Sequence, residues 1–355
     1  MRTTTRRRIP DSALVRIEKK KQIVPVSTLL REYLAHYERS APIGDIYGDL
    51  LQFDQAIPIE TEDGAKTHWD WVFYPAHAWE EISRRLVQIY AHLKTPEDPG
   101  FTDHLSTKRV EFCNFGNSKP FRIQIVNRFN DNHDYYYVKR ADASRVYGLE
   151  LEHILAPNRI DFLVDGETLI EEHITGIPGD VYFAQQQWLD LTNPTRIAKE
   201  FVKFAERCFA KLLGDMRSYN YVIVVTQDFD MQQYRIRAID FDQQSNEGRL
   251  QVYLPHFYRE NQQAVDLVWN QLSDRTIRQY QKEERALMGR RLRVAWSRTD
   301  DLFHCMENDH LSDRDNVAQL ARGLARYHQD RAFDSATSMG QLTRQHLTAT
   351  LREDL

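Results

Sequence analysis

The chain has 355 residues, 41% of them hydrophobic and 28% charged, with a formal net charge of −5. That composition excludes wholesale disorder, and the length allows two or three packed units. The acidic balance argues against bulk affinity for nucleic acid or an anionic membrane surface, and no apolar run approaches the roughly 20 residues a membrane span needs.

The first segment, "MRTTTRRRIPDSALVRIEKKK", is basic but lacks the apolar stretch of a secretory signal, so it reads as a solvated or partner-binding arm. Cys113, Cys208 and Cys305 are too scattered for a disulfide framework or a metal-ligand pattern, which fits a reducing, cytoplasmic setting. "STLLREYLAHYERS" and "AWEEISRRLVQIYAHL" each carry an apolar helical stripe, and "HWDWVFYP" between them reads as a core strand. The Pro- and Gly-containing "LKTPEDPGFTD" marks a boundary near residue 100.

Three antiparallel strands are expected next, in "RVEFCNFGNSKPFRIQIVNRF" and "YYYVKRA". A helix, "ASRVYGLELEHIL", follows, then two strands, "RIDFLVD" and "TLIEEHIT", joined at Gly166. "TRIAKEFVKFAERCFAKLL" is the most strongly periodic helix of the chain. It runs into a polar cluster, "GDMRSYN", and then a second hairpin, "YVIVVT" with "YRIRAIDFD". From about residue 256 almost everything reads as helix, and "QYQKEERALMGRRLRVAW" is expected to bury Leu287, Leu292 and Trp296 beneath a solvated face. The sum is an α+β chain. His133, His153, His256 and His304 show no metal-ligand spacing. The first "DFD", at residues 228–230, sits at a hairpin tip, where acidic residues favour turns.

The polar cluster has a chemical use. Asp215, Arg217 and Asn220 lie between a helix and a strand, and Asp240 ends the returning strand of the hairpin, so a tight turn brings the two sets together. Phosphoryl transfer needs oxygen ligands for Mg²⁺, a carboxylate to orient the acceptor hydroxyl, and a cation near the developing charge. The spacing Asp-x-Arg-x-x-Asn resembles the catalytic loop of the protein-kinase-like superfamily, H-R-D-x-K-x-x-N, and "AIDFD" resembles its D-F-G segment.

What the resemblance implies covers residues 108–245. Asp215 would be the catalytic base, Arg217 the phosphate-directed cation, and Asn220 and Asp240 the metal ligands. Lys139 would orient the nucleotide phosphates. His173, Ile174 and Thr175 would form the segment beside the base, and Gly116, Ser118 and Lys119 the phosphate loop. The intervening helix should offer Lys139 a carboxylate. Glu150 and Glu152 both qualify; at ~100° per residue Glu150 flanks the stripe of Tyr147, Leu151, Ile154 and Leu155 while Glu152 points away, which favours Glu150.

The implied fold is bilobal and protein-kinase-like: an N-terminal accessory region (1–100), a small antiparallel-sheet lobe (101–177) and a mostly helical lobe (178–355). The implied activity is ATP- and Mg²⁺-dependent phosphotransfer, with Mn²⁺ as an alternative ion, to a hydroxyl of a protein or small molecule. Leu213 and Gly214 stand where the family has His and Arg, Asp242 replaces the Gly of D-F-G, and no A-P-E segment is present. These departures point to an atypical or small-molecule-kinase-like branch. They also leave open an inactive nucleotide-binding or protein-interaction scaffold, or an AMP transferase on the same fold.

Overall fold

A computed structural model describes residues 14–15, 21–42, 44–61, 64–94, 102–115, 118–185, 194–228 and 231–352. Gly116, residues 1–13 and 16–20 of the basic arm, and residues 229–230 of the first "DFD" lie outside the described residues. The chain divides into two units. One is Gln22–His153 with Arg159–His173; the other is Met1–Lys21, Ile154–Asn158 and Ile174–Leu355.

Alternation builds the sheet of the first unit. In β4 (Phe121–Asn127), Phe121, Ile123 and Ile125 are buried while Arg122 and Gln124 are half-buried on the other face. Its neighbours are β3 (Leu105–Cys113) and β5 (His133–Arg140). With β1 (Gln55–Glu60), β2 (Lys66–Phe73), β6 (Phe162–Asp165) and β7 (Thr168–Glu172) they form one antiparallel sheet of seven strands, ordered β1-β2-β3-β4-β5-β7-β6. α1 (Thr28–His36) and α2 (Ile46–Leu50) precede the sheet; α3 (Ala76–Lys94) crosses it, and α4 (Ala143–Leu155) lies in the chain between β5 and β6.

The α3 residues Ile82, Leu86 and Ile89 share a core with Val110, Phe121, Ile123, Tyr136 and Val138. Full burial of such side chains is worth about 1.5–3 kcal/mol each. The expected boundary near residue 100 therefore does not separate two units. β2 pairs with β3, placing Trp69 opposite Cys113 and Trp71 opposite Glu111, so residues on both sides of that boundary share one sheet and one core. The other boundary falls at His173–Ile174, a few residues before the expected 177.

The second unit contains β8 (Ile177–Pro178), α5 (Gly179–Ala184), α6 (Pro194–Lys211), β9 (Tyr221–Asp228) and β10 (Met231–Ala238), then α7 (Gln262–Gln271), α8 (Asp274–Val294), α9 (Trp296–Asn308), α10 (Arg314–His328) and α11 (Met339–Leu351). β10, β9 and β8 form a three-stranded sheet. α6 packs against α7, α8 and β10 and carries buried charge: Arg207 pairs with Glu284 at 3.0 Å and Glu206 with Arg285 at 2.5 Å.

These pairs change the expected face of α8. Its buried stripe is Glu284, Met288 and Leu292; Leu287 is only half-buried, and Trp296 begins α9 and is exposed. Residues 250–261, in part read as helix, are three short 3₁₀ turns: Leu250–Tyr253, Pro255–Phe257 and Arg259–Asn261. Among the described residues the chain is α+β with eleven α-helices, none long and apolar enough to cross a membrane.

Candidate functional site

The junction between α6 and β9 begins with two left-handed residues. α6 stops because Leu212 takes φ +53°, with its N–H on the Phe209 carbonyl and that of Leu213 on Cys208. Left-handed backbone is costly for a leucine, by roughly 1–2 kcal/mol, and such outliers concentrate at functional sites. Asp215 is the second, at φ +58°, a conformation that Asp tolerates.

Between them Gly214 donates to the Gln243 carbonyl at 3.1 Å, and a Cβ at this position would lie 2.8 Å from Val252 Cγ1 and 3.0 Å from the Gln243 oxygen. Glycine at the position before Asp215 therefore has a steric cause. The loop has other anchors than the side chains missing from Leu213 and Gly214. The Asp215 N–H donates to the Val252 carbonyl (3.3 Å) and the Tyr258 hydroxyl (3.1 Å). Fully buried Asn261 donates to the Met216 and Pro255 carbonyls at 2.8 and 2.7 Å and accepts from the Tyr221 hydroxyl at 3.1 Å.

Asp215, Arg217 and Asn220 are brought together by this turn. Arg217 Nε donates to Asp215 Oδ1 at 2.7 Å, and its Nη1 reaches Glu260 at 3.3 Å. Asn220 Nδ2 donates to the Asp215 carbonyl at 2.7 Å, which leaves its Oδ1 as an oxygen of metal-ligand type. Among the described residues, no hydrogen bond occupies Asp215 Oδ2.

The hairpin adds Asp240. Tyr221 is in register with Ala238, and the Ile239 N–H bonds the Asn220 carbonyl at 3.0 Å, so Asp240 follows directly on the residue paired with Asn220. Its Oδ1 accepts the Asp242 N–H at 3.0 Å, a local turn that fixes the carboxylate. Burial pushes the Asp215 carboxyl up, Arg217 pulls it down, and the Asp240 and Glu260 charges push it up again, leaving it at about 6 against an ordinary 3.8. The contribution of Asp240 marks the two carboxylates as electrostatically coupled.

Among the described residues, no group of three or more His, Cys, Asp or Glu side chains forms a metal cluster. Asn220 and Asp240 instead fit the pattern of a Mg²⁺ held by one or two protein oxygens together with substrate phosphates.

In the first unit, Lys139 lies on β5, the third of the strands from 105 on, immediately before α4. It is buried, and its Nζ donates to Glu171 on β7 at 2.7 Å. Arg145, on α4, bonds the same carboxylate at 2.5 Å. Burial would push Glu171 up, but Arg145 and Lys139 hold it below its ordinary value. The carboxylate that the structure pairs with Lys139 is thus Glu171 rather than the expected Glu150. Glu150 is fully buried, accepts from the Tyr33 hydroxyl at 2.7 Å and lies 3.6 Å from Arg39. The physical reason is the strand register. Tyr137 is paired with Glu171 and Lys139 with Leu169, so Lys139 and Glu171 are diagonal neighbours on one sheet face.

Ser118 and Lys119 lie in the β3–β4 connection, Lys119 exposed and at φ +38°. His173 closes the first unit, its Nδ1 3.1 Å from the Tyr137 hydroxyl, and Ile174 and Thr175 open the second, so the expected base-side segment is where the chain passes between units.

Tyr258, Glu260 and Asn261, which hold the loop, were not anticipated. The one available signal was "YLPHFYREN", where Pro255 and Asn261 interrupt a helical pattern. No protein-family model and no curated protein matches the chain.

Proposed function

We propose that the protein is an ATP- and Mg²⁺-dependent phosphotransferase of atypical kinase-like type, acting on a hydroxyl acceptor. The observation that carries this reading is the Asp215 carboxyl, held at about 6 beside Asp240 and a cation at 2.7 Å, with Asn220 Oδ1 on the same rigid turn. A carboxylate with that affinity for a proton is near the optimum for a base working at neutral pH.

In the reading, Asp215 orients the acceptor hydroxyl and takes its proton at Oδ2, the oxygen that Arg217 does not engage. Arg217 holds the carboxylate in position through Oδ1 and lends positive charge to the transition state. Asn220 and Asp240 would hold Mg²⁺, which when bound offsets the negative charge of the phosphates. Lys139, paired with Glu171, is assigned to the nucleotide phosphates, and its position on the third strand ahead of a helix supports that assignment.

One observation favours a second reading, a nucleotide-binding scaffold without turnover. The helix after Lys139 contributes a cation, Arg145, to the shared carboxylate instead of the carboxylate that active kinases use there.

The test is calorimetry of MgATP on the wild type and on Asp240→Ala, with ATP breakdown products followed in the same samples. Mg²⁺-dependent binding that the variant loses, with slow release of ADP, supports phosphotransfer; release of pyrophosphate would indicate AMP transfer. Binding without turnover would favour the scaffold. Absence of wild-type binding at millimolar MgATP overturns the nucleotide site.

A further inference from the structure

The corner between α8 and α9 carries bare apolar side chains in a run of arginines, "RRLRVAWSR". α8 ends at Val294, Ala295 makes the turn, and Trp296 opens α9. Val294 is 91% exposed and Trp296 46%. The corner is nonetheless fixed. The Ala295 N–H bonds the Arg291 carbonyl at 3.0 Å, the Ala295 carbonyl accepts from the N–H and the hydroxyl of Thr299 at 2.9 Å each, and Leu292 and Thr299 are buried on either side. A valine held almost bare at such a projection is unusual, and exposed apolar groups rimmed by polar residues mark interaction sites. Positions i, i+3 and i+4 share a helix face, which places Arg290 and Arg293 beside Val294.

The corner stays positive when its charged neighbours are counted in full. Asp300 is paired with Arg344, Glu284 with Arg207 at 3.0 Å and Glu283 with Lys203 at 3.5 Å. Glu200, which lies in the field of Arg207, Lys203 and Arg235, is matched by Arg235. Setting Asp301 and one further carboxylate against Arg293 and Arg298 still leaves Arg290 and Arg291. Neither has an ion-pair partner among the described residues, so the surplus is two positive charges. The negative end of α8 and the positive end of α9 meet here and offset each other. Arg291 Nη1 is buried with no hydrogen-bond partner among the described residues. Burial lowers the proton affinity of Arg291, Glu284 raises it, and Arg207, Arg290 and Arg235 lower it again, as expected where cations outnumber carboxylates.

We propose that the α8–α9 corner docks on an anionic lipid bilayer surface, with Val294 and Trp296 entering the headgroup layer and the arginines beside them attracted to the lipid phosphates. Tryptophan favours the boundary between headgroups and acyl chains, and a bare valine gains by leaving water for it. Charge alone would suit a nucleic acid equally. Val294 at the apex decides for lipid, because a phosphate backbone offers a valine nothing to contact. The net charge of −5 is a sum over the whole chain, and at physiological salt a charge is screened within about 8 Å, so it does not cancel a local surplus. None of the residues of the Asp215 loop belongs to the corner.

The test is co-sedimentation of the full chain with phosphatidylcholine vesicles, either neutral or containing roughly 30% phosphatidylserine. Binding is expected to the anionic vesicles alone, half-complete at roughly millimolar lipid and released by about 0.5 M NaCl. Arg290→Gln/Arg293→Gln should weaken it about 10- to 30-fold, and Val294→Ser about 3- to 10-fold. All three positions are exposed, so thermal unfolding should stay as in the wild type. Equal binding to neutral vesicles overturns the inference. Full binding retained by either variant also overturns it, and would place the lipid on another surface such as the basic N-terminal arm. So does failure to bind at roughly 10 mM lipid, a very weak affinity; binding of a single-stranded oligonucleotide by the same samples would then make the corner a nucleic-acid surface.

Discussion

Arg217 donates through Nε to Asp215 Oδ1 at 2.7 Å, yet the carboxyl it contacts still titrates near 6, because burial and the charges of Asp240 and Glu260 outweigh that single favourable bond. If Asp215 is the base of the proposed phosphotransfer, it must be ionised to work, so kcat/KM should fall as pH drops through about 6. Arg217→Gln removes the group that lowers this value. The acidic limb of its pH profile should shift upward, with the largest loss relative to wild type near the old midpoint.

The same shift has a stability consequence of the opposite sign to most carboxylates. A folded-state value raised above the ordinary 3.8 means the native state binds that proton more tightly than the unfolded chain. The favourable contribution is complete below 3.8 and is lost as pH rises through about 6. Asp215→Asn should therefore abolish turnover while raising unfolding free energy at pH 8 by roughly 2 kcal/mol, an advantage that disappears near pH 4. Urea denaturation at the two pH values measures it.

The turn itself can be tested at Gly214. Adding one methyl puts carbon 2.8 Å from Val252 Cγ1 and 3.0 Å from the Gln243 oxygen, so Gly214→Ala should cost about 1–3 kcal/mol and weaken MgATP binding through a displaced Asp215. Denaturation and calorimetry on one sample give both numbers.

Asn261 tests the clamp from a distance. Truncation to Ala leaves the Met216 carbonyl and the Tyr221 hydroxyl without their partner in a buried site, a cost of about 1–3 kcal/mol. If Asn261 positions the loop, kcat should drop while KM for ATP changes little, whereas a purely structural role would lower stability alone.

Glu171 carries two cations. Glu171→Gln removes the carboxylate charge that Lys139 and Arg145 share in a buried site, and a loss of about 3–5 kcal/mol is expected in urea unfolding. Because its folded value is held below the ordinary 4.5, the wild-type advantage is present above 4.5 and shrinks as pH falls below it.

What the sequence made legible was local. The helix read at "ASRVYGLELEHIL" is α4, Ala143–Leu155, and both hairpins of strands appear where alternation and turn residues put them, since period and turn chemistry act over a few residues. The loop cluster of Asp215, Arg217 and Asn220 was legible for the same reason. β1 was not, because Pro58 interrupts its pattern; an edge strand tolerates proline, and β1 is at the edge of its sheet. Glu171 was missed as the partner of Lys139 because that pairing depends on the register between β5 and β7. Tyr258 and Asn261 reach the loop from 3₁₀ turns about forty residues downstream, and no periodicity reports such a contact.

The β9–β10 hairpin behaves as a ruler. Its eight paired positions, from Asp228 opposite Met231 down to Tyr221 opposite Ala238, fix how far Asp240 stands from Asn220, while nothing at the far end enters that distance. Lengthening the connection between Asp228 and Met231, for instance to carry a fluorophore, leaves the spacing of the two oxygens intact. Inserting one residue into β10 alone would shift Asp240 by one position relative to Asn220 and separate the two oxygens that the proposed function assigns to a metal, while every residue of the loop remained in place.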